Sequence, residues 1–450
     1  MRKVSLLTLC LLFSSIISMR AQDTTAAATE DDGKFSVTGY IDQYYIHAFN
    51  NPQSGNLMGN QAGGVFGGAP AGRAFDRLTD QFALGLVQTK FAYSNKKSDM
   101  VIDLTFGPNA ELGNFGNQLG GATGFSPANS YQSVLYGSSI AIKQAYWTYK
   151  ATSKLSFTVG QFGTHIGYEV IDAPVNFHYS LSNLFNNGPF YHVGAKANYA
   201  FNDNFGLMVG IVNNWDALTD WKKQKSAVAQ LFFKPVDGWN VYLNWIGGHN
   251  DDPFKVGSGP GSRVGNTLYN DPTINPLLVA PNGYNRQLYD ITTGYQITDN
   301  FYLGLNAVYG FYYSGDTTFK SIAKGITKAE SGKEKEILPW YGIAGYANYT
   351  ITDMLAIGAR YEHFSDKYGV RYLGATNNSL TITAPITLAA GHLIVKPEFR
   401  LDVSPSNWGQ TAPDANGATE SVYYYEKYKD GKVSSTKSQS TLGVAFIYKY

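Results

Sequence analysis

The connections between the strand-like segments of this chain alternate in length, and few folds have a use for that. Sixteen segments carry apolar and polar side chains in alternation, from FSVTGYIDQYYIHAF near the start to QSTLGVAFIYKY at the end. A period of two residues marks a strand with one apolar face. Every second connection is short: SNKKSD, ATSK, NDN, PVDG, TDN, TDM and AAG. The others are long, spanning 50–79, 107–139, 163–190, 214–224, 248–285, 314–339, 365–379 and 403–438. A soluble sandwich has no reason to sort its loops this way. A membrane barrel does, with short turns on one rim, long loops on the other and an even number of strands. The expected fold is all-β, a single closed antiparallel transmembrane β-barrel of about 16 strands, with short periplasmic turns and long external loops.

Composition agrees. Charged residues make up only 15% of the chain and aromatics another 15%, with 33 Tyr and 48 Gly. Soluble domains carry about 25% charged residues. At the start, Arg2 and Lys3 precede the apolar run VSLLTLCLLFSSII and then the small and polar stretch SMRAQD. This is the pattern of a secretory signal peptide over 1–21, cut after Ala21, and the run is too short to span a bilayer comfortably. A polar, disordered leader is expected over 22–34 and the barrel over 35–450. Cleavage removes Cys10, the one cysteine, and three basic residues (Arg2, Lys3, Arg20). The 35 basic residues become 32 against 34 acidic ones, a net charge of −2, which argues against a nucleic-acid partner.

Alternation also assigns faces. In WNVYLNWIG, Trp239, Val241, Leu243 and Trp245 share one side. The two Trp lie ~20 Å apart along a strand, near the rims of an apolar band about 25 Å tall. The last strand puts Leu442, Val444, Phe446, Tyr448 and Tyr450 on one side, so that side is expected to meet outer-membrane lipid. Phe446, Tyr448 and the terminal Tyr450 resemble the signal that the outer-membrane barrel assembly machinery reads. Two places break the pattern. FALGLVQTKFAYS changes phase partway, which predicts a bulge. Pro385 and Pro397 lie inside strands, where each removes a ladder donor, and at similar distances from the AAG turn, so they are expected to face each other across one hairpin with weakened pairing or a bulge.

The opposite side chains must face the interior. HLIVKPEFRLD then lines up Lys396, Glu398, Arg400 and Asp402, and LAIGARYEHF adds Arg360 and Glu362. Arg or Lys at mid-depth on the lipid side costs about 2–4 kcal/mol, so these charges belong inside. Two readings of them stand side by side: a charged wall that orders passing solutes, and an ion-pair ladder that fills the interior.

The run VGQFGTHIGYEVID, the segment NFHYSLSNLF, then GPFYHVGAKANYAF and VGIVNNWD resemble the β-barrel porin-2 (OmpL-like) family of outer-membrane porins. GYIDQYYIHAFNNP and VKPEFRLD match its flanks, so the resemblance covers essentially the whole mature chain. It implies a pore for small hydrophilic solutes. In general porins the third external loop folds into the barrel and narrows it, and the third long loop here, 163–190, is expected to do the same. Glu169 and Asp172 would then form an acidic rim against Arg360 and Arg400. An exposed loop serving as an oligomer contact is the alternative. Where the family favours SRS-like wording this chain has Ser180, Leu181 and Ser182, so no anion preference carries over.

The expected function is passive diffusion of small hydrophilic solutes through an outer membrane, with bore and wall charge as the mechanism. A substrate-specific channel for a sugar or an oligopeptide is a second reading, with Tyr168, Phe177, Tyr179 and Phe185 as a stacking track. A closed barrel acting as an adhesin or anchor is a third. Small residues in strands such as WYGIAGYANYTI allow close subunit contact, and a homotrimer is among the expected partners. No catalytic residue, cofactor or metal is expected. None of the seven histidines lies in a G-x-S-x-G context, and His165 and His178 in the third loop lack a third ligand. The Asp251–Asp252 pair reads as solvated loop charge.

Overall fold

The structure, a computed structural model, describes residues 33–52, 57, 73, 75–115, 141–213, 215, 216, 218, 225–250, 284–314, 336–366, 376–404 and, with gaps at 414–418, 422–424 and 430–431, 411–450. The signal-peptide stretch, most of the leader and the Asp251–Asp252 pair lie outside these residues. The strands on the N-terminal side are β1 (Lys34–Ala48), β2 (Phe82–Ser94), β3 (Ser98–Phe106), β4 (Ile142–Lys150), β5 (Leu155–Gly163), β6 (Tyr191–Asn202), β7 (Phe205–Val212) and β8 (Ser226–Phe233). There follow β9 (Trp239–Asn250), β10 (Tyr284–Gln296), β11 (Phe301–Ser314), β12 (Glu336–Thr350), β13 (Ala356–Ser365), β14 (Thr376–Thr383), β15 (Ile386–Leu388) and β16 (Leu393–Val403). Two small hairpins, β17 (Thr411–Pro413) with β18 (Thr419–Ser421) and β19 (Tyr425–Lys429) with β20 (Lys432–Thr436), precede β21 (Ser438–Lys449). Helix α1 (Pro108–Phe115) follows β3, and α2 (Asn183–Asn187) lies in the third long loop.

Each barrel strand pairs antiparallel with its sequence neighbours, and β21 closes the sheet by pairing with both β16 and β1. Closure runs to the last residue, because Tyr450 and Gly39 exchange backbone hydrogen bonds at 3.3 and 3.1 Å. The C-terminal strand is thus the seam of the barrel. β14 and β15 are two pieces of one crossing, interrupted at Ala384–Pro385, so the wall is a closed 16-strand barrel. The break follows from the missing proline donor. Ala384 N–H still reaches the Pro397 carbonyl at 3.0 Å, so the residue facing Pro397 is Ala384 and not Pro385.

The expected bulge is present between β1 and β2, where the register shifts between Ile41 and Gln43. The extra residue is on β2, where Gly85 and Leu86 oppose the single Asp42, whose carboxylate accepts the Leu86 N–H at 2.6 Å. A second change of phase occurs at Gly160, whose φ of 133° suits only glycine; a Cβ there would lie 2.3 Å from the Ala145 carbonyl oxygen. Beyond it Gln161 and Phe162 are both buried.

The outward faces are mainly apolar. On β21, Leu442 and Tyr448 are each 52% exposed, while Ala445 and Ile447 between them are at 1% and 0%. Val209, Leu303, Ile343 and Ile357 are exposed on other strands in the same way. Apolar surface spread this evenly around a closed sheet needs a hydrocarbon surrounding.

Candidate functional site

The interior has two characters. On β7 to β12 the inward positions include Met208, Val228, Ile246, Leu288, Val308 and Trp340, which form one buried apolar cluster with Ile166 and Leu184 of the third loop. On β13, β14 and β16 they are mostly charged or hydroxylated. Register sets Arg360 opposite Thr381 and Thr381 opposite Arg400, and likewise Glu362, Ser379 and Asp402 in one row. The β14 side chains Ser379, Thr381 and Thr383 therefore stand between two charged strands as a ladder of hydroxyls.

Residues 164–190 fill the space between these two sides. Arg360 donates to Glu169 at 2.5 Å and to the Ser180 carbonyl at 2.7 Å, and Arg400 donates to the Leu181 carbonyl at 2.7 Å. Glu398 accepts the Tyr179 and Ser180 backbone N–H groups at 2.7 and 3.1 Å, and Glu362 accepts that of Asn183 at 2.7 Å. Lys396 donates to the Ala173 carbonyl at 2.7 Å and to that of Asn176. Arg400 also pairs with Asp402 at 2.9 Å and lies 3.6 Å from Glu362. The wall charges grip mainly the backbone of the segment rather than its side chains. Backbone amides and carbonyls cannot ionise and need partners wherever water is excluded, so a charged wall suits them.

The fastening continues around the circumference. Asp172 accepts Lys143 Nζ at 2.5 Å and Gln88 Nε2 at 2.7 Å. Tyr179 Oη donates to Asp42 at 2.7 Å, and the Gly167 N–H reaches Asp290 at 3.1 Å. Tyr168 donates to Tyr302 at 2.9 Å and stacks on Tyr346 with ring centres 4.2 Å apart. His165 Nε2 lies 3.0 Å from the Trp245 carbonyl. Within the segment, Ser182 caps α2 by accepting the Phe185 N–H, and its own N–H goes to Glu169. Phe75, from the first long loop, packs on Phe185 and Phe190. Helix α1 joins through Ala110, buried with Ala173.

Each residue singled out in the sequence has a place here. Arg360, Glu362, Lys396, Glu398, Arg400, Asp402 and Glu169 come together at the contact between β13–β16 and the third segment, and none is more than 7% exposed. The charges find their partners mainly in the folded-in backbone, with the Arg360–Glu169 and Arg400–Asp402 ion pairs beside it. Asp172 lies apart from them, against β2 and β4. The four aromatics have separate neighbours: Tyr168 stacks on Tyr346, Phe177 rests on His178, Tyr179 on Tyr44 and Phe185 on Phe75. Phe446, Tyr448 and Tyr450 face outward at the seam.

Sequence reasoning passed over Asp42, Asp290, Lys143 and the β14 hydroxyls. Their signal was present as polar residues recurring at every second place in YIDQYY, LYDITT and SLTIT. Burial pushes His165 down to about 4 and His178 well below the usual histidine value; for His178 the cations of Arg360, Lys396 and Arg400 add to the effect.

Comparison with known proteins places this architecture. The sequence profile of the family described as beta-barrel porin-2, OmpL-like matches residues 34–450. No match was found among curated proteins. Among solved structures, the trimer form of OmpT, an outer membrane protein of Vibrio cholerae, superposes with a TM-score of 0.51 at 11% identity, over 93% of this chain and 100% of that one. The anion-selective porin from Comamonas acidovorans gives 0.49 at 8% identity, over 93% and 100%. Salmonella typhi OmpF, in complex with daunomycin, gives 0.47 at 12%, over 93% and 98%.

Proposed function

We propose that this chain, which belongs to the beta-barrel porin-2, OmpL-like family, forms a channel through which small hydrophilic solutes diffuse passively, with residues 164–190 setting its bore. A barrel of this family and fold is an outer-membrane protein. Its N-terminal segment 1–21 acts as the signal that carries it there. The observation that carries the reading is the long-rim segment running inside a closed sheet and held by Arg360, Glu362, Lys396, Glu398 and Arg400. Diffusion needs no catalysis and no moving part. It needs a fixed constriction, and burial of these charges against backbone groups provides one.

Planar-bilayer recording of the purified protein tests this. Stable single-channel steps that widen when the third segment is shortened support it. Silence in both forms would favour a closed barrel acting as an anchor or adhesin. One observation favours that second reading: an apolar cluster joins Ile166 and Leu184 to inward side chains of β7–β13, so part of the interior is packed with apolar groups. Block of the steps by one sugar or one oligopeptide would favour a substrate-specific channel.

A further inference from the structure

Lys196 lies inward on β6, opposite Thr158 of β5 and Gly210 of β7. Its Nζ sits 4.4 Å from the centre of the Phe162 ring, and no carboxylate partner exists for it among the described residues. Three other inward lysines have partners. Lys143 has Asp172 and Asp103, Lys150 has Asp99, and Lys396 has two carbonyls.

Four residues earlier on the same strand stands His192, completely buried, with its ring 6.4 Å from that of Phe162 and 5.6 Å from that of His165. Thr164 Oγ1 accepts the Ile166 N–H at 3.1 Å and lies 3.0 Å from His192 Nε2, a pair in which either side can donate. His192 Nδ1 is buried with no hydrogen-bond partner among the described residues. A half-enclosed ammonium without a counter-ion lacks an oxygen acceptor carrying negative charge, and so does the buried Nδ1 in the tautomer that takes the Thr164 proton on Nε2.

We infer that Lys196 and His192 are the donor side of a binding site for a small oxyanion, a phosphate or a carboxylate group, between the third segment and the β5–β7 wall. His165, which gives its Nε2 proton to the Trp245 carbonyl, borders the site without donating to it. The inference rests on the channel reading for the anion's route in; binding itself does not require a conducting pore.

Calorimetric titration of inorganic phosphate into the full chain, refolded in detergent at pH 7.5 and fixed ionic strength, tests it. Saturable binding is expected, weakened by about tenfold or more in Lys196→Met, as for a lost charge-assisted contact. Lys196→Arg keeps the charge and is expected to bind within about threefold of the native chain. His192→Phe weakens binding with Lys196 intact, and a heat-dependent gel shift checks that each variant is a closed barrel. No saturable binding by the native chain, or equal binding by Lys196→Met, overturns the site. Bilayer recording separates this from the channel reading. Lys196-dependent binding to a silent barrel removes the channel and leaves the site, and steps without phosphate binding do the reverse.

Discussion

Thr383 shows how closely the wall and the inserted segment are matched. Its hydroxyl donates to Glu398 at 2.8 Å and so must accept from His178 Nδ1 at 2.7 Å, which places the proton of the neutral ring on Nδ1. With Glu398 across Thr383, burial and then the cations of Arg360, Lys396 and Arg400 disfavour a second proton on that ring. Its folded value is lowered, so the undocked or unfolded chain takes up a proton first as pH falls below about 6.5. Docking is unaffected above that value and loses stability steadily below it; His165, at about 4, acts in the same direction. Protease cleavage within 164–190 should accelerate between pH 6.5 and 4.5, and less so in His178→Asn; identical profiles would remove His178 from the argument. Arg360 gives a second test. Arg360→Met leaves Glu169 and the Ser180 carbonyl without their donor, a loss of about 3–5 kcal/mol for a broken buried pair. Adding Glu169→Gln should recover part of it, measured by chemical unfolding in lipid vesicles.

Among the elements, the third segment and the strands make separable contributions. The sheet closes through its own backbone ladder, with no part of the segment between neighbouring strands. Removing residues 168–186 should leave a barrel that still shows a heat-dependent gel shift, with single-channel conductance raised severalfold. Unchanged conductance would mean the bore is set elsewhere. The strands answer to their surroundings instead. Ile343, 47% exposed on β12, faces outward next to Ala344, which is fully buried. Ile343→Arg should destabilise the barrel in vesicles by about 2–4 kcal/mol, and by much less in detergent. A loss equal in both media would argue that this face does not meet a bilayer.

At the scale of the molecule, the outer wall is apolar on every side, so contact between copies has to come from packing rather than from water exclusion. Strand β12 offers Gly345 and Ala347 at successive outward positions, flanked by Ile343 and Tyr349. A homotrimer is the assembly proposed here, and light scattering of the detergent-solubilised protein should return three copies. A monomer mass at every concentration would count against it.

The sequence alone determined the barrel. Side-chain alternation has a period of two wherever a strand has two different surroundings, and connection length is local too, so both can be read without knowing any long-range contact. YGIAGYAN and TLGVAFIYKY sort their side chains correctly on that basis alone. Only the tertiary structure decided what the charges do. Arg360 and Ser180 are far apart in the chain, as are Glu398 and Tyr179, and the partners of the wall charges are mostly backbone groups, which every residue carries and no sequence marks. Alternation could say that Arg400 points inward, but not that the Leu181 carbonyl would be there to meet it.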